Sequence, residues 1–296
     1  MEWFRSERNP WGQEILIGLS WDLIWVAVAA GVLFTAGHGL LYHWRWRGPG
    51  AGAATTGESL LKQLPEKILR HSVASRLFHW VMAASVLTLL LTAFLPIWGV
   101  KFSWVTLHWI AGLVLTAAII FHIIHASLWK GLRLMWIGRQ DLSDGWLVIK
   151  QVLDSGGPPP RKPGKNPLEN KLFHHAVAIA TLATIITGLF MMAKVDTPWW
   201  NRNPYILSDD TWGIIYVAHG AGSVALITLI MAHLYFAVRP EKRWITLSMI
   251  FGWISRDRYL EHHDPGRWPV GVSASEKSAG SSAKQSEAGA RRAEAS

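Results

Sequence analysis

Residues 102–129 read FSWVTLHWIAGLVLTAAIIFHIIHASLW, 28 residues between Lys101 and Lys130 without an Asp, Glu, Lys or Arg. A helix needs about 20 apolar residues to cross hydrocarbon, so this stretch predicts a membrane span that carries His108, His122 and His125. Four further stretches have the same character. Asp22 to Arg45 encloses 22 uncharged residues, Arg76 to Lys101 encloses 24, Lys171 to Lys194 encloses 22 and Asp210 to Arg239 encloses 28. Five spans follow, over about 16–44, 72–97, 103–129, 168–193 and 211–238. Only 17% of the 296 residues are charged, against about a quarter in soluble domains. A soluble enzyme, a disordered protein and a single-span anchor are excluded. The expected fold class is all-α and integral to the membrane.

Lysine and arginine set the orientation, because basic loops stay on the cytoplasmic side. Residues 45–76 carry 6 of them, 130–171 carry 8 and 239–296 carry 10, leaving 5 of the 29 for the opposite side. The N-terminus is expected outside and the C-terminus in the cytoplasm. The net charge of +9 then reflects topology and anionic lipid, with no need of nucleic acid. Four segments are expected: an N-terminal helix (1–47), a linker (48–69), a core (70–260) with an inner loop at 130–170, and a disordered tail (261–296). Within the linker, Gly48 to Gly57 reads as flexible and Leu60 to Leu69 as amphipathic. Within the inner loop, Leu132 to Leu153 is expected on the membrane surface, followed by a Pro-rich turn, Gly156 to Pro163. Most of the 19 tryptophans cluster near span ends as an interfacial belt.

The chain has no cysteine. That removes iron–sulfur clusters, disulfides, thiolate nucleophiles and covalent haem attachment. Metal chemistry must run through histidine. Polar side chains inside a bilayer are costly and usually functional, and His79, His108, His122, His125, His174, His219 and His233 lie in or at the mouths of spans 2 to 5. Two pairs share one i, i+14 spacing, His108 to His122 and His219 to His233. That step puts both imidazoles on one helix face about 21 Å apart, one near each membrane surface. Such histidines can hold two six-coordinate haems stacked across the bilayer, closed to oxygen and suited to electron transfer. Zinc or copper would want carboxylate or thiolate neighbours, which the spans lack.

Several motifs stand in a definite order. Arg76-Leu77-Phe78-His79-Trp80 opens the second span and Thr106-Leu107-His108-Trp109-Ile110-Ala111-Gly112 the third. Asn166-Pro167-Leu168-Glu169-Asn170-Lys171 leads into the fourth, and the fifth holds His219-Gly220-Ala221-Gly222 and His233-Leu234-Tyr235. Over residues 70–240 this set resembles the di-haem cytochrome b subunits of the formate dehydrogenase gamma-subunit type, a group that includes those of nickel–iron hydrogenases and thiosulfate reductases. The resemblance implies a four-helix di-haem core in spans 2–5, with span 1 added, in the inner membrane of a bacterial cell.

Depth along the spans, in agreement with the resemblance, pairs His79 with His233 at the inner face and His108 with His219 at the outer face. A rival pairing, His108/His219 with His122/His233, remains open on spacing alone, with His79 then unexplained. Arg76 and Arg70 are candidates for haem propionates, and His122 and His125 for neighbours of the inner haem. Gly112 and Gly222 are candidates for making room beside the porphyrin, small residues also serving helix packing. The resemblance places a quinone near the inner haem, where Asn166, Asn170 and His174 offer donors. His38 and His43 read as structural or interfacial residues, and His262 and His263 as part of a soluble tail.

The expected function is electron transfer between an outer redox partner and the quinone pool through two haem b groups. The partner would be a periplasmic catalytic subunit, or an iron–sulfur or cytochrome c electron-transfer subunit, docked at Lys194 to Trp212. Two alternatives are a stand-alone quinone-linked oxidoreductase and a haem or metal transporter. The latter predicts an internal repeat and broken helices, neither of which is evident in the sequence.

Overall fold

The computed structural model describes residues 2–45, 64–153 and 161–270. The chain runs β1 (Phe4–Arg8), β2 (Glu14–Leu19), α1 (Asp22–Arg45), β3 (Lys67–Leu69), α2 (Val73–Phe94), α3 (Trp104–His125), α4 (Arg139–Leu153), α5 (Leu168–Met191), α6 (Asp209–Val238), α7 (Arg243–Phe251), β4 (Trp253–Ser255) and α8 (Arg256–His262). Helices α1, α2, α3, α5 and α6 are long and apolar enough to cross a membrane. Their outward side chains, among them Leu87, Ile120, Ile179 and Ile214, are exposed, as a lipid-facing surface requires and a water-facing one does not. Caps mark where two spans begin: Ser72 accepts from Ser75 N ahead of α2, and Ser208 from Thr211 N ahead of α6.

The first span begins later than the sequence predicts. Residues 14–19 form β2 and pair antiparallel with β1, because Ile15 and Ile17 alternate with Glu14, Leu16 and Gly18 in a two-residue period. Asn9 closes the turn, its Oδ1 accepting from Trp11 N (3.1 Å) and Gln13 N (2.9 Å). Hairpin and α1 both lie along α6. A Cβ on Gly213 would stand 2.8 Å from Leu16 Cβ, and one on Gly31 2.7 Å from Met231 Sδ. Glycine is required at Gly213, where Leu16 Cβ and its carbonyl stand in the way, while at Gly31 the flexible Met231 side chain would have to shift. Thr228 Oγ1 donates to Ala27 O (2.9 Å), and His38 Nδ1 meets the Tyr235 hydroxyl at 3.1 Å. His38 is thus a joint between α1 and α6.

The basic end of the bundle is closed by a small folded cap, which corrects two boundaries. The linker's last residues form β3, paired with β4, and residues 261–270 are folded where a disordered tail was expected. Ile68, Ile254, Tyr259 and Leu260 make the core of the cap, with Trp244 and Trp268 against it. Arg70 is buried beside both tryptophan rings, at 5.7 and 5.6 Å. Its Nη1 donates to His263 Nε2 (3.0 Å), while His263 Nδ1 donates to Gly164 O (2.8 Å). A carbonyl cannot donate and a guanidinium cannot accept, so this tautomer is the one that satisfies both bonds. Burial first, then the adjacent Arg70, pushes His263 down to about 4, and burial alone brings Arg70 down to about 10. Arg70 is thereby built into the cap, with its Nη groups taken by His263 and Lys165 O. The linker stretch from Gly48 to Gly57 (within 46–63), most of the expected Pro-rich turn (154–160) and the residues beyond 270 lie outside the described residues.

Helix α4 forms within the segment expected on the membrane surface. Leu142, Trp146, Ile149 and Leu153 recur at helical spacing and are all exposed, a stripe suited to the headgroup boundary. Its other face is tied down by Lys171 Nζ to Asp141 Oδ2 at 2.8 Å and Arg267 Nη1 to Asp144 Oδ2 at 2.7 Å. Burial would raise the Asp141 carboxyl, but bonds from Lys171 and the Gly138 N–H outweigh it and hold it below its ordinary value. Both charges of the Lys171–Asp141 pair are largely covered, so removing either partner would leave the other charge poorly compensated and destabilise the join of α4 to α5.

Candidate haem centres

Two histidine pairs meet inside the bundle, at its two ends. His79 on α2 faces His233 on α6 with ring centres 6.2 Å apart, and His108 on α3 faces His219 on α6 at 6.3 Å. These are the pairs that depth predicts. His122 lies against His174 instead, so the rival pairing of His122 with His233 is not the one the fold assembles.

Ring separation says what such a pair can hold. With each nitrogen about 1.1 Å from its ring centre, rings 6.2 Å apart bring nitrogens no closer than about 4 Å. That exceeds the about 2.7–3.2 Å of a hydrogen bond. That lower bound leaves room for two imidazole–metal bonds of about 2.0–2.1 Å end to end. Among the described residues no group of three His, Asp or Glu gathers to cage a bare ion. Two axial nitrogens and no further protein ligand fit a metal whose equatorial positions are filled by a porphyrin.

The local bonds prepare the ligand atoms of the second pair. Thr92 Oγ1 donates to Thr88 O (2.8 Å), one turn back on α2, which leaves the oxygen to accept from His108 Nδ1 (2.8 Å). Thr187 Oγ1 likewise donates to Ala183 O (2.6 Å) on α5 and accepts from His219 Nδ1 (2.9 Å). With Nδ1 protonated in both rings, both Nε2 lone pairs are free for a metal. In the first pair, His79 Nδ1 is buried without a partner among the described residues, and Phe173 stacks on His233 at 5.4 Å. Thr92 and Thr187 were not singled out from the sequence. Their only signal is a hydroxyl in a span at the depth of a histidine on the neighbouring helix.

The remaining candidates separate. Arg76 lies one turn before His79, bonds Ile250 O through Nη1, and has no partner at Nε among the described residues. It suits an anionic propionate. Gly112 faces open space, a Cβ there meeting nothing nearer than Leu89 at 3.9 Å, whereas a Cβ on Gly222 would come within 2.6 Å of Thr184. Gly112 leaves room beside His108; Gly222 serves helix packing. The proposed quinone donors do not converge. Asn166 Nδ2 reaches Leu134 O (3.5 Å) and Met135 Sδ (3.4 Å), Asn170 is exposed, and His174 turns inward to His122.

The family model for prokaryotic cytochrome b561 matches residues 70–252, well over half of the chain and the whole of the four-helix core. No curated protein matches the chain. The matched segment begins after α1, in agreement with an added first span. Five apolar spans, paired histidines and this match together place the chain in the prokaryotic cytochrome b561 family, as a multi-pass bacterial membrane b-type cytochrome for electron transfer.

Proposed function

We propose that the chain is the membrane subunit of a respiratory oxidoreductase of the formate dehydrogenase gamma-subunit type, linking an outer redox partner to quinone through two bis-histidine haems. The observation that carries this is the stacking of two pairs at one ring separation, 6.2 and 6.3 Å, held on α6 by histidines at i and i+14. His79 with His233 and His108 with His219 would each hold a haem b, which would supply one-electron transfer there. The protein sets depth, tautomer and polarity. The basic end is the cytoplasmic one by its lysine and arginine content. At the opposite end Trp199, Tyr205 and Ile206 are exposed between α5 and α6, a surface for a protein partner.

Quinone exchange belongs at the basic mouth of α5. Asn170 is exposed there, one turn before Phe173, which stacks on His233. Exposed Leu172 offers an apolar wall. A second reading has its own observation. A cleft of about 410 Å³ opens at the other end between Leu113, Leu189, Trp200, Asn201 and Asn203, and it could take a quinone ring. Stopped-flow haem reduction by a quinol analogue in proteoliposomes decides between them. Asn170→Leu should slow the reaction by about 10-fold, the worth of one good hydrogen bond, with haem content unchanged. Wild-type rates in that variant, with Asn201→Leu slow instead, would move the quinone to the outer cleft.

A further inference from the structure

The core is built twice. Arg76-Leu77-Phe78-His79 on α2 matches Lys171-Leu172-Phe173-His174 on α5, and Thr92 and Thr187 each stand at i+13 from that histidine. The next span of each half carries its pair at i and i+14, His108/His122 on α3 and His219/His233 on α6. The two halves run in the same direction through the bundle, which makes this a parallel repeat about an axis along the membrane normal. The absence of a repeat expected from the sequence is thereby corrected. Helices α2, α3, α5 and α6 are continuous, so the repeat brings no broken helix of the kind a transporter uses.

Each contact at the haem centres has its counterpart. Thr92 to His108 at 2.8 Å corresponds to Thr187 to His219 at 2.9 Å. Phe78 stacks on His122 at 4.2 Å and 11°, as Phe173 stacks on His233 at 5.4 Å and 13°. His108/His219 joins the two halves across the axis and is its own counterpart. His79/His233 is not, and its image is His174/His122. That image exists: the two rings stand 6.2 Å apart, the same separation as His79 and His233. Their interplanar angle of 63° lies beside the 60° and 52° of the other two pairs.

We propose that His122 and His174 are the axial ligands of a third b-type haem, at the basic end of the bundle beside the His79/His233 centre. The separation again keeps the nitrogens beyond hydrogen-bond reach of each other and leaves room for a metal between them. No third ligand for a bare ion gathers there among the described residues. His174 is thus an iron ligand and not a quinone donor. The proposal rests on the reading that His79 and His233 hold a haem, since the repeat makes the two sites equivalent.

Haem content of the full-length protein, saturated with haem in detergent and measured as pyridine haemochrome against amino-acid analysis, tests it. Three haems per chain are expected in the wild type. His122→Ala and His174→Ala should each lose about one third of the haem absorbance, and the double variant should lose no more than either alone. Two haems in the wild type, with His174→Ala unchanged and His79→Ala reduced, would overturn the third site and leave the two-haem reading intact. Unchanged content in both His79→Ala and His233→Ala would instead remove the reading beneath it. The wild-type count needs no variant to fold.

Discussion

Replacing His108 or His219 by alanine should remove one haem and cut the outer partner off from the rest of the protein. These rings face each other at 6.3 Å at the end away from the basic cap, and a haem that loses one of two axial nitrogens loses its low-spin state and much of its affinity. The haem at His79/His233 should remain reducible by quinol, because its ligands touch neither residue substituted. His79→Ala or His233→Ala should do the reverse, slowing reduction by quinol and leaving the His108/His219 centre reducible from outside. Redox difference spectra with each donor in turn, on proteoliposomes, separate the two patterns. If His79→Ala keeps its full haem content while His122→Ala does not, His122 and not His79 is the partner of His233, and the pairing drawn from the geometry is wrong.

The threonines should matter almost as much although they touch no cofactor. Thr92→Val and Thr187→Val keep shape but remove the acceptors that hold His108 and His219 with Nδ1 protonated. Loss of such a partner typically costs about 10–100-fold in metal affinity, and each variant should release the outer haem more readily by that factor. The remaining bound haem should also titrate at higher potential, since an imidazole that no longer donates to an acceptor is the poorer electron donor to iron. Serine at either position should restore both properties, and the His79/His233 centre should not move. Potentiometric titration with haem-release kinetics supplies the measurement. Wild-type potential and retention in Thr92→Val would reduce the threonine to helix packing.

The spans and the two principal pairs are legible in the sequence for one reason. Charge is so expensive in hydrocarbon that the uncharged stretches outline the helices, and distance from the nearest charge gives each histidine its depth. What the sequence hides depends on partners far along the chain. His263 reads as tail because its partner Arg70 stands near the start of the core, 193 residues earlier in the chain. Leu16 reads as helix because the glycine it packs on, Gly213, belongs to the fifth span. The repeat escapes because its halves differ in the connection between their helices: α2 and α3 are joined by the short segment 95–103, α5 and α6 by the longer 192–208. The span between Lys171 and Lys194 also reads differently once folded. His174, taken alone near the quinone, finds a ring at ligand distance that only assembly of α3 against α5 supplies.

Axial ligation by two histidines at every centre is the claim on which the rest stands, and carbon monoxide tests it. The dithionite-reduced protein should show low-spin b-type bands that carbon monoxide leaves unaltered, because neither face of any iron is open. A high-spin spectrum, a carbon monoxide shift accounting for a whole haem in the intact protein, or a preparation that holds zinc and no haem would contradict it.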